Sequence, residues 1–402
     1  MLQHFSDFGI KIWYSQYILL TLVTVYAIIQ FYFIKPLKAR FQNVMVSIIV
    51  TYFSVKFLFL IGAFVIDLVL FQMQLSHKGL AHFPAETVEN GGQFLWLILG
   101  LSFIPVVFLF GGIISGGIRI KKEFVEIYIR DLPESLEGFK IVQLSDIHLG
   151  SFFRRSRVAH GVDLVNEEEP DLICVTGDLV NFRSDELQGF ENILSRLKAK
   201  HGVYSVLGNH DYGDYTNWPT EQLHQDDIEN MKLGQQLMGW DLLLNEHRVL
   251  TQEDSKIGLV GVENWGKGFR QSGDFDQAIQ GMPEVNVTIL MSHDPSHFTK
   301  VVQEHPRKMH LTLAGHTHGF QMGVENRYVK ISPARFKYKY WGGLYEENDR
   351  YLYVNRGFGF LGYPGRIGIP SEITVLTLTS HSHKKFEKSS QKIRHNVAKK
   401  RE

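Results

Sequence analysis

Lys140-Ile141-Val142-Gln143-Leu144-Ser145-Asp146-Ile147-His148 opens as five residues of strand character and ends on an Asp-x-His pair. Four later apolar runs end in a similar way. Residues 172–176 run into Gly177-Asp178, 203–207 into Gly208-Asn209-His210-Asp211, 287–291 into Ser292-His293, and 311–314 into Gly315-His316-Thr317-His318. Polar stretches of helical character, as at 158–166, 187–198 and 220–238, lie between some of these runs. Strands alternating with helices are the signature of an α/β domain. In such sheets ligands gather just outside the carboxyl ends of the strands, so five such ends predict a single cluster.

Each motif alone is ordinary, since Gly-Asp and Gly-Asn most often make turns and Gly-His-x-His is most often a loop. Together, in this order and each directly after a strand, they collect Asp146, His148, Asp178, Asn209, His293, His316 and His318. Seven such side chains serve two metal ions if one carboxylate bridges. Mixed imidazole and oxygen donors suit Mn²⁺, with Fe and Zn²⁺ as alternatives, and disfavour Ca²⁺; no thiolate is present to build a structural zinc site. The single cysteine, Cys174, lies inside a strand run, where it packs rather than ligates. Two ions roughly 3.5–4 Å apart can hold a hydroxide between them and clamp the oxygens of an in-line phosphoryl displacement. Hydrolysis of a phosphate ester or anhydride is the chemistry that suits this set.

The motif order over about residues 140–318 resembles the calcineurin-like metallophosphoesterase superfamily. The resemblance implies an α/β, four-layer αββα fold, a double β-sandwich of mixed sheets flanked by helices. It implies one ion on Asp146, His148, Asp178 and His318, and a second on Asp178, Asn209, His293 and His316, with Asp178 shared. His210 would then face the leaving group, and Asp211 would orient it. Asn181 stands where close relatives often carry an acidic residue, which should tune the site without disabling it. The segments Tyr340-Trp341-Gly342-Gly343-Leu344-Tyr345, Val354-Asn355-Arg356-Gly357 and Pro370-Ser371-Glu372-Ile373 look like the membrane-associated branch, which includes transmembrane metallophosphoesterases and UDP-2,3-diacylglucosamine pyrophosphatases.

The 402-residue chain has a formal charge of zero that conceals a segregation. Residues 1–122 hold 9 Lys+Arg against 4 Asp+Glu, residues 381–402 hold 8 against 2, and the middle holds 25 against 36. An acidic middle disfavours nucleic acid as a partner, because such binding depends on neutralising phosphates. One cysteine cannot form an internal disulfide, so nothing in the chain calls for oxidising export. Three apolar stretches, 12–34, 44–70 and 94–117, have the length of bilayer-crossing helices. Basic residues after the first (Lys35, Lys38, Arg40) and third (Arg119, Lys121, Lys122) place the remainder of the chain in the cytoplasm by the positive-inside rule. The expected organisation is an anchor of about three helices at 1–122, a hydrolase domain at 123–380 and a basic, disordered tail at 381–402. Lys56 and Asp67 lie within the second stretch; intramembrane charge marks a functional-site candidate, and snorkelling with headgroup contact is the plainer reading.

A catalytic domain tethered to a bilayer meets membrane-embedded esters at raised effective concentration, which favours a lipid-linked substrate such as UDP-2,3-diacylglucosamine. The bilayer is the expected partner, with no obligate protein partner in view. The basic tail suits an anionic leaflet. Arg154, Arg155 and Arg157, close after the first motif, can reach a second phosphate through bidentate hydrogen bonds, and Arg356 and Arg366 are lesser candidates. Two other readings stay open: a membrane-bound phosphatase or phosphodiesterase acting on a phosphoprotein, phospholipid or cyclic nucleotide, and a non-catalytic membrane scaffold or sensor.

Overall fold

The computed structural model describes residues 104–266, 268–325 and 329–381, with residues 45, 48, 49 and 101 besides. The expected spans at 12–34 and 44–70 and the tail therefore lie outside the described residues, apart from isolated positions. Of the third span, the helix Ile104–Ile118 is described. Among the described residues no helix is long and apolar enough to cross a membrane. This helix belongs with loop 362–367 to one compact unit, where the Tyr363 hydroxyl donates to the Leu109 carbonyl and the Arg366 N–H donates to the Gly112 carbonyl at 3.0 Å.

The second unit is built on two six-stranded mixed sheets. In the first, β1 (Ile120–Tyr128) pairs parallel with β14 (Ser371–Thr379), which runs antiparallel to β2 (Lys140–Leu144). The sheet continues in parallel through β3 (Leu172–Thr176), β4 (Val203–Val206) and β5 (Asp241–Leu242). In the second, β7 (Ser255–Gly261), β8 (Val287–Met291), β9 (Leu311–Ala314) and β13 (Arg350–Val354) are parallel, with β6 (Glu246–Gln252) and β12 (Gly343–Glu347) antiparallel at the two edges.

Successive strand residues face opposite sides of a sheet, and here both sides are buried. Ile141, Leu172 and Cys174 join Leu259, Ile289 and Leu313 in a core between the sheets, whereas Val142, Ile173 and Val175 join a second core. That second core is shared with Val158, Val162 and Val165 of the helix Arg155–Asn166 and with Ile228 and Met231 of the helix Glu221–Leu237. A third core sets Val260, Leu290 and Leu352 against Phe275 and Phe298. Helix, sheet, sheet, helix is the four-layer order that the family resemblance implied. Thr220 caps the longer helix by accepting the Leu223 N–H at 3.3 Å, satisfying one of its free donors.

Two expectations change. The segment 187–198 is not one helix: only Glu191–Leu194 is α-helical, and Gly189, at φ 81°, breaks the run before it. The domain also begins earlier than residue 123. Lys121 and Lys122 are strand residues registered against Glu372 and Ile373, and Lys122 Nζ reaches Glu168 at 2.6 Å and Glu167 at 3.2 Å.

Candidate metal centre

The loops after β2, β3, β4, β8 and β9 bring all seven expected side chains to one place. Asp146, His148, Asp178 and His318 offer donor atoms that lie within 4.8 Å of one another, and so do Asp178, His293 and His316. Asp178 belongs to both groups. Its Oδ2 is 3.2 Å from His293 Nε2 and 3.7 Å from His148 Nε2. Asn209 Oδ1 completes the second group at 2.8 Å from His316 Nδ1.

The surrounding hydrogen bonds select which atom of each side chain faces inward. His148 Nδ1 donates to the Val180 carbonyl at 3.1 Å and His293 Nδ1 donates to the Thr176 carbonyl at 2.7 Å, so each presents Nε2. His316 is reversed. Its Nδ1 faces Asn209 and, at 3.3 Å, His293 Nε2, while its Nε2 meets the Tyr338 hydroxyl at 3.1 Å. His318 Nε2 approaches His148 Nε2 at 3.0 Å and Asp146 Oδ1 at 3.3 Å. Asn209 Nδ2 donates to the Tyr215 hydroxyl at 2.8 Å, which turns its Oδ1 inward. Carboxylate oxygens, an amide oxygen and imidazole nitrogens converging on two points, with the outward atoms of His148, His293, His316 and Asn209 already engaged, form a donor set that fits two divalent cations.

Backbone geometry confirms how specialised these loops are. Asp146, His148, Asp178, His316 and His318 all have φ between 49° and 68°, the left-handed region that costs an L-residue roughly 1 kcal/mol or more. Neighbouring bonds hold them there: Asp146 N–H donates to the Gly177 carbonyl at 3.0 Å and His148 N–H to the Asp178 carbonyl at 3.1 Å. Gly315 is obligatory, because a Cβ there would collide with Ser145 Oγ and Asp146 Oδ2.

The charge balance of the metal-free chain shows what the pocket demands. Burial pushes the Asp146 carboxyl up to about 6, opposed by His293 and reinforced by Asp178. Burial acts against charge on Asp178 too, but His293, His210 and His148 outweigh it and hold that carboxyl well below its usual range. Burial alone would lower His293, yet Asp178 and Asp146 push it up to about 10. Burial drives His148 down to about 3 and His316 down to about 4. Without a metal, the Asp178 and Asp146 carboxylates favour a protonated His293 between them, which is the positive charge that a bound cation would replace.

His210 sits beside this cluster, half-buried, with its ring edge-on to His148 at 5.0 Å and tilted over Tyr215 at 4.4 Å. Its Nδ1 donates to the Asn181 carbonyl at 2.6 Å, and its N–H donates to Asp178 Oδ1 at 2.9 Å. Asp211, expected to orient that ring, is used elsewhere. Its carboxylate accepts the N–H groups of Asp178 (2.8 Å), Leu179 (2.7 Å), Val180 (3.2 Å) and Gly208 (2.9 Å), pinning one metal-ligand loop to another.

The arginines expected at the substrate divide. Arg154 is exposed at the N-cap of its helix. Arg155 donates to the Gln188 carbonyl at 3.2 Å and lies over Phe190, and Arg157 donates to Ser371 Oγ at 2.8 Å between Phe152 and Phe360. Arg356 is buried between Glu325 and Glu372, which makes it a structural ion pair. Tyr215, Tyr338, Asp294 and Phe269 border the centre unforeseen; Asp294 Oδ2 lies 3.7 Å from His316 Nε2 and Phe269 packs edge-on to that ring at 4.9 Å. Only Asp294 carried a signal, by directly following His293.

Residues 139–320 match the family model described as calcineurin-like phosphoesterase. The chain is 32% identical over 304 residues to a zebrafish (Danio rerio) protein named transmembrane protein with metallophosphoesterase domain, covering 73% of this chain and 65% of that one. It is 31% identical to the cattle (Bos taurus) protein of the same name, covering 63% and 56%. It thus spans less than two thirds of either relative. An uncharacterized metallophosphoesterase of Bacillus subtilis is 32% identical over 253 residues, covering 62% of this chain and 82% of its own length.

Proposed function

Because this chain belongs to the calcineurin-like phosphoesterase family, we propose that its seven-residue cluster binds two divalent ions, Mn²⁺ foremost, and that it hydrolyses a phosphoester or diphosphate bond in a lipid-linked substrate. The observation that carries the reading is Asp178, whose carboxylate belongs to both ligand groups. A shared carboxylate is what two closely spaced ions require.

Bound there, two divalent ions supply Lewis acidity and lower the pKa of water. The residues supply position and protons. Asp146, Asp178 and Asn209 fix the oxygen donors, and the Val180 and Thr176 carbonyls lock the tautomers of His148 and His293. His210, half-buried with Nδ1 committed to Asn181, keeps Nε2 for the leaving-group oxygen, to which it donates a proton. Asp211 acts one step back, by holding the backbone of the Asp178 loop.

Three further features support a membrane setting: the apolar stretches at 12–34, 44–70 and 94–117, the basic residues Lys35, Lys38 and Arg40, which favour a cytoplasmic side for the hydrolase, and the names of the zebrafish and cattle relatives. Tethering favours a substrate embedded in the same bilayer. The test compares kcat/KM of the full-length, Mn²⁺-loaded protein for a lipid diphosphate, UDP-2,3-diacylglucosamine being one, with that for soluble phosphate mono- and diesters. Preference for the lipid is expected. Equal or greater turnover of soluble esters overturns the substrate class, and no turnover of any ester overturns the enzyme reading.

A further inference from the structure

Between His318, a metal ligand, and Tyr338, whose hydroxyl meets His316, the chain makes an excursion. A two-stranded hairpin, β10 (Val324–Glu325) against β11 (Lys330–Ile331), is followed by the 3₁₀ turn Pro333–Phe336. Its two faces differ sharply. On the inner face Lys330 lies over Trp341 and donates to the Gly342 carbonyl, Ser332 Oγ donates to the Gly319 carbonyl at 2.6 Å, and Ala334 packs with Trp341 and Ile369.

On the outer face Val324 and Ile331, directly opposed in register, are 55% and 49% exposed, and Phe336 is 89% exposed. Phe320 and Met322, at 50% and 40%, lead into the same hairpin. Directly opposed residues of an antiparallel pair share a face, so Val324 and Ile331 present one apolar surface, and Phe336 stands exposed five residues further along the chain. A cluster of large apolar groups held outward from a well-packed base marks an interaction surface.

The charge around it points to the occupant. Residues 318–341 carry five basic residues (Arg327, Lys330, Arg335, Lys337, Lys339) against one acidic, Glu325, within a domain whose 123–380 total is 25 against 36. An apolar tip followed directly by three exposed cations, Arg335, Lys337 and Lys339, on an otherwise acidic domain, complements the headgroup region of an anionic bilayer. We propose that this excursion inserts its tip, Val324, Ile331 and Phe336, into the lipid surface while Arg335, Lys337 and Lys339 meet lipid phosphates. The chain returns from that surface straight into Tyr338, so docking brings the metal centre against the headgroups. This deepens the lipid-linked reading of the site and rests on it.

The test is a depth measurement on the full chain. Cys174 is wholly buried, and burial raises its thiol, so a single introduced cysteine takes a nitroxide label selectively. Phe336→Cys is labelled in lipid nanodiscs of phosphatidylcholine with and without phosphatidylserine, and Leu237→Cys, on an exposed helix position, is the control. The label at 336 is expected to collide severalfold less with an aqueous nickel chelate and more with oxygen than the label at 237, the contrast growing with phosphatidylserine. Equal nickel accessibility at both sites overturns docking. Protection from both reagents, the sign of a protein partner or a second copy, overturns it as well. Should Phe336→Cys fail to fold, Val324→Cys serves in its place. Depth is read without turnover: lipid insertion with no lipid hydrolysis sinks only the substrate reading, and lipid hydrolysis with a nickel-accessible Phe336 sinks only the docking.

Discussion

His210, through its backbone N–H, and His293, through Nε2, both meet the Asp178 carboxylate and answer different experiments. His210 lies outside both ligand groups, so His210→Ala is expected to keep two ions per chain while kcat falls about 10²–10⁴-fold. Elemental analysis beside steady-state kinetics checks this; loss of an ion would make His210 a ligand, and undiminished kcat would remove it from proton transfer. His293 responds to pH. Its folded-state pKa, pushed up to about 10 by Asp178 and Asp146 against burial, lies above the ordinary histidine value. In the metal-free chain this stabilisation is complete below about pH 6.5 and fades as pH rises toward the folded value. A metal needs the neutral ring, so binding at pH 7 releases about one proton from His293, and affinity rises with pH, more steeply below about 6 where Asp146 is protonated as well. Calorimetric titration in buffers of different ionisation enthalpy reads that proton count directly, and a slope of zero would show that Asp178 does not charge His293.

At the scale of elements, the Glu325–Arg356–Glu372 triad that ties β10 to β14 makes the clearest prediction. Arg356 sits between Glu325 and Glu372, so Arg356→Ala strands two carboxylates, one of them almost fully buried, and should cost about 3–5 kcal/mol of stability. Denaturant unfolding checks the size, and the double variant R356M/E372Q should recover part of the loss; an unchanged midpoint in Arg356→Ala would return that residue to the substrate. This is also where legibility in the sequence divides. The five ligand-bearing strands were readable because both of their faces are buried, so apolar side chains run without interruption up to the motif. The helix expected over 187–198 was not, since its apolar residues serve turns packed onto the same core and Gly189 interrupts it. Arg356 read as a substrate contact because an arginine in a late loop looks alike whether its partners are phosphates or glutamates 16 and 31 residues away. Tyr215 and Tyr338 were invisible for the same reason: each is defined by a ligand brought alongside by folding, Asn209 in one case and His316 in the other.

At the scale of the whole molecule, charge segregation and the apolar stretches act together. An acidic domain tethered to an anionic leaflet would be repelled by it over about one Debye length, roughly 8 Å at physiological ionic strength. On the proposed docking, the basic residues of 381–402 and the exposed Arg335, Lys337 and Lys339 would oppose that repulsion locally. Turnover of a lipid substrate should therefore depend on its surface density and not on its bulk concentration. Diluting the lipid into neutral micelles at constant bulk concentration is expected to lower the rate in proportion, whereas admixed anionic lipid raises it. Salt should weaken the anionic enhancement, because Arg335, Lys337 and Lys339 are exposed and screened, but leave the dilution effect intact, because apolar insertion is not screened. A soluble aryl phosphate measured in the same micelles should show neither dependence. If both substrates lose activity together on dilution, detergent acts on the enzyme itself; if the lipid substrate shows no surface-dilution effect, the metal centre works on esters free in water and the bilayer is only its address.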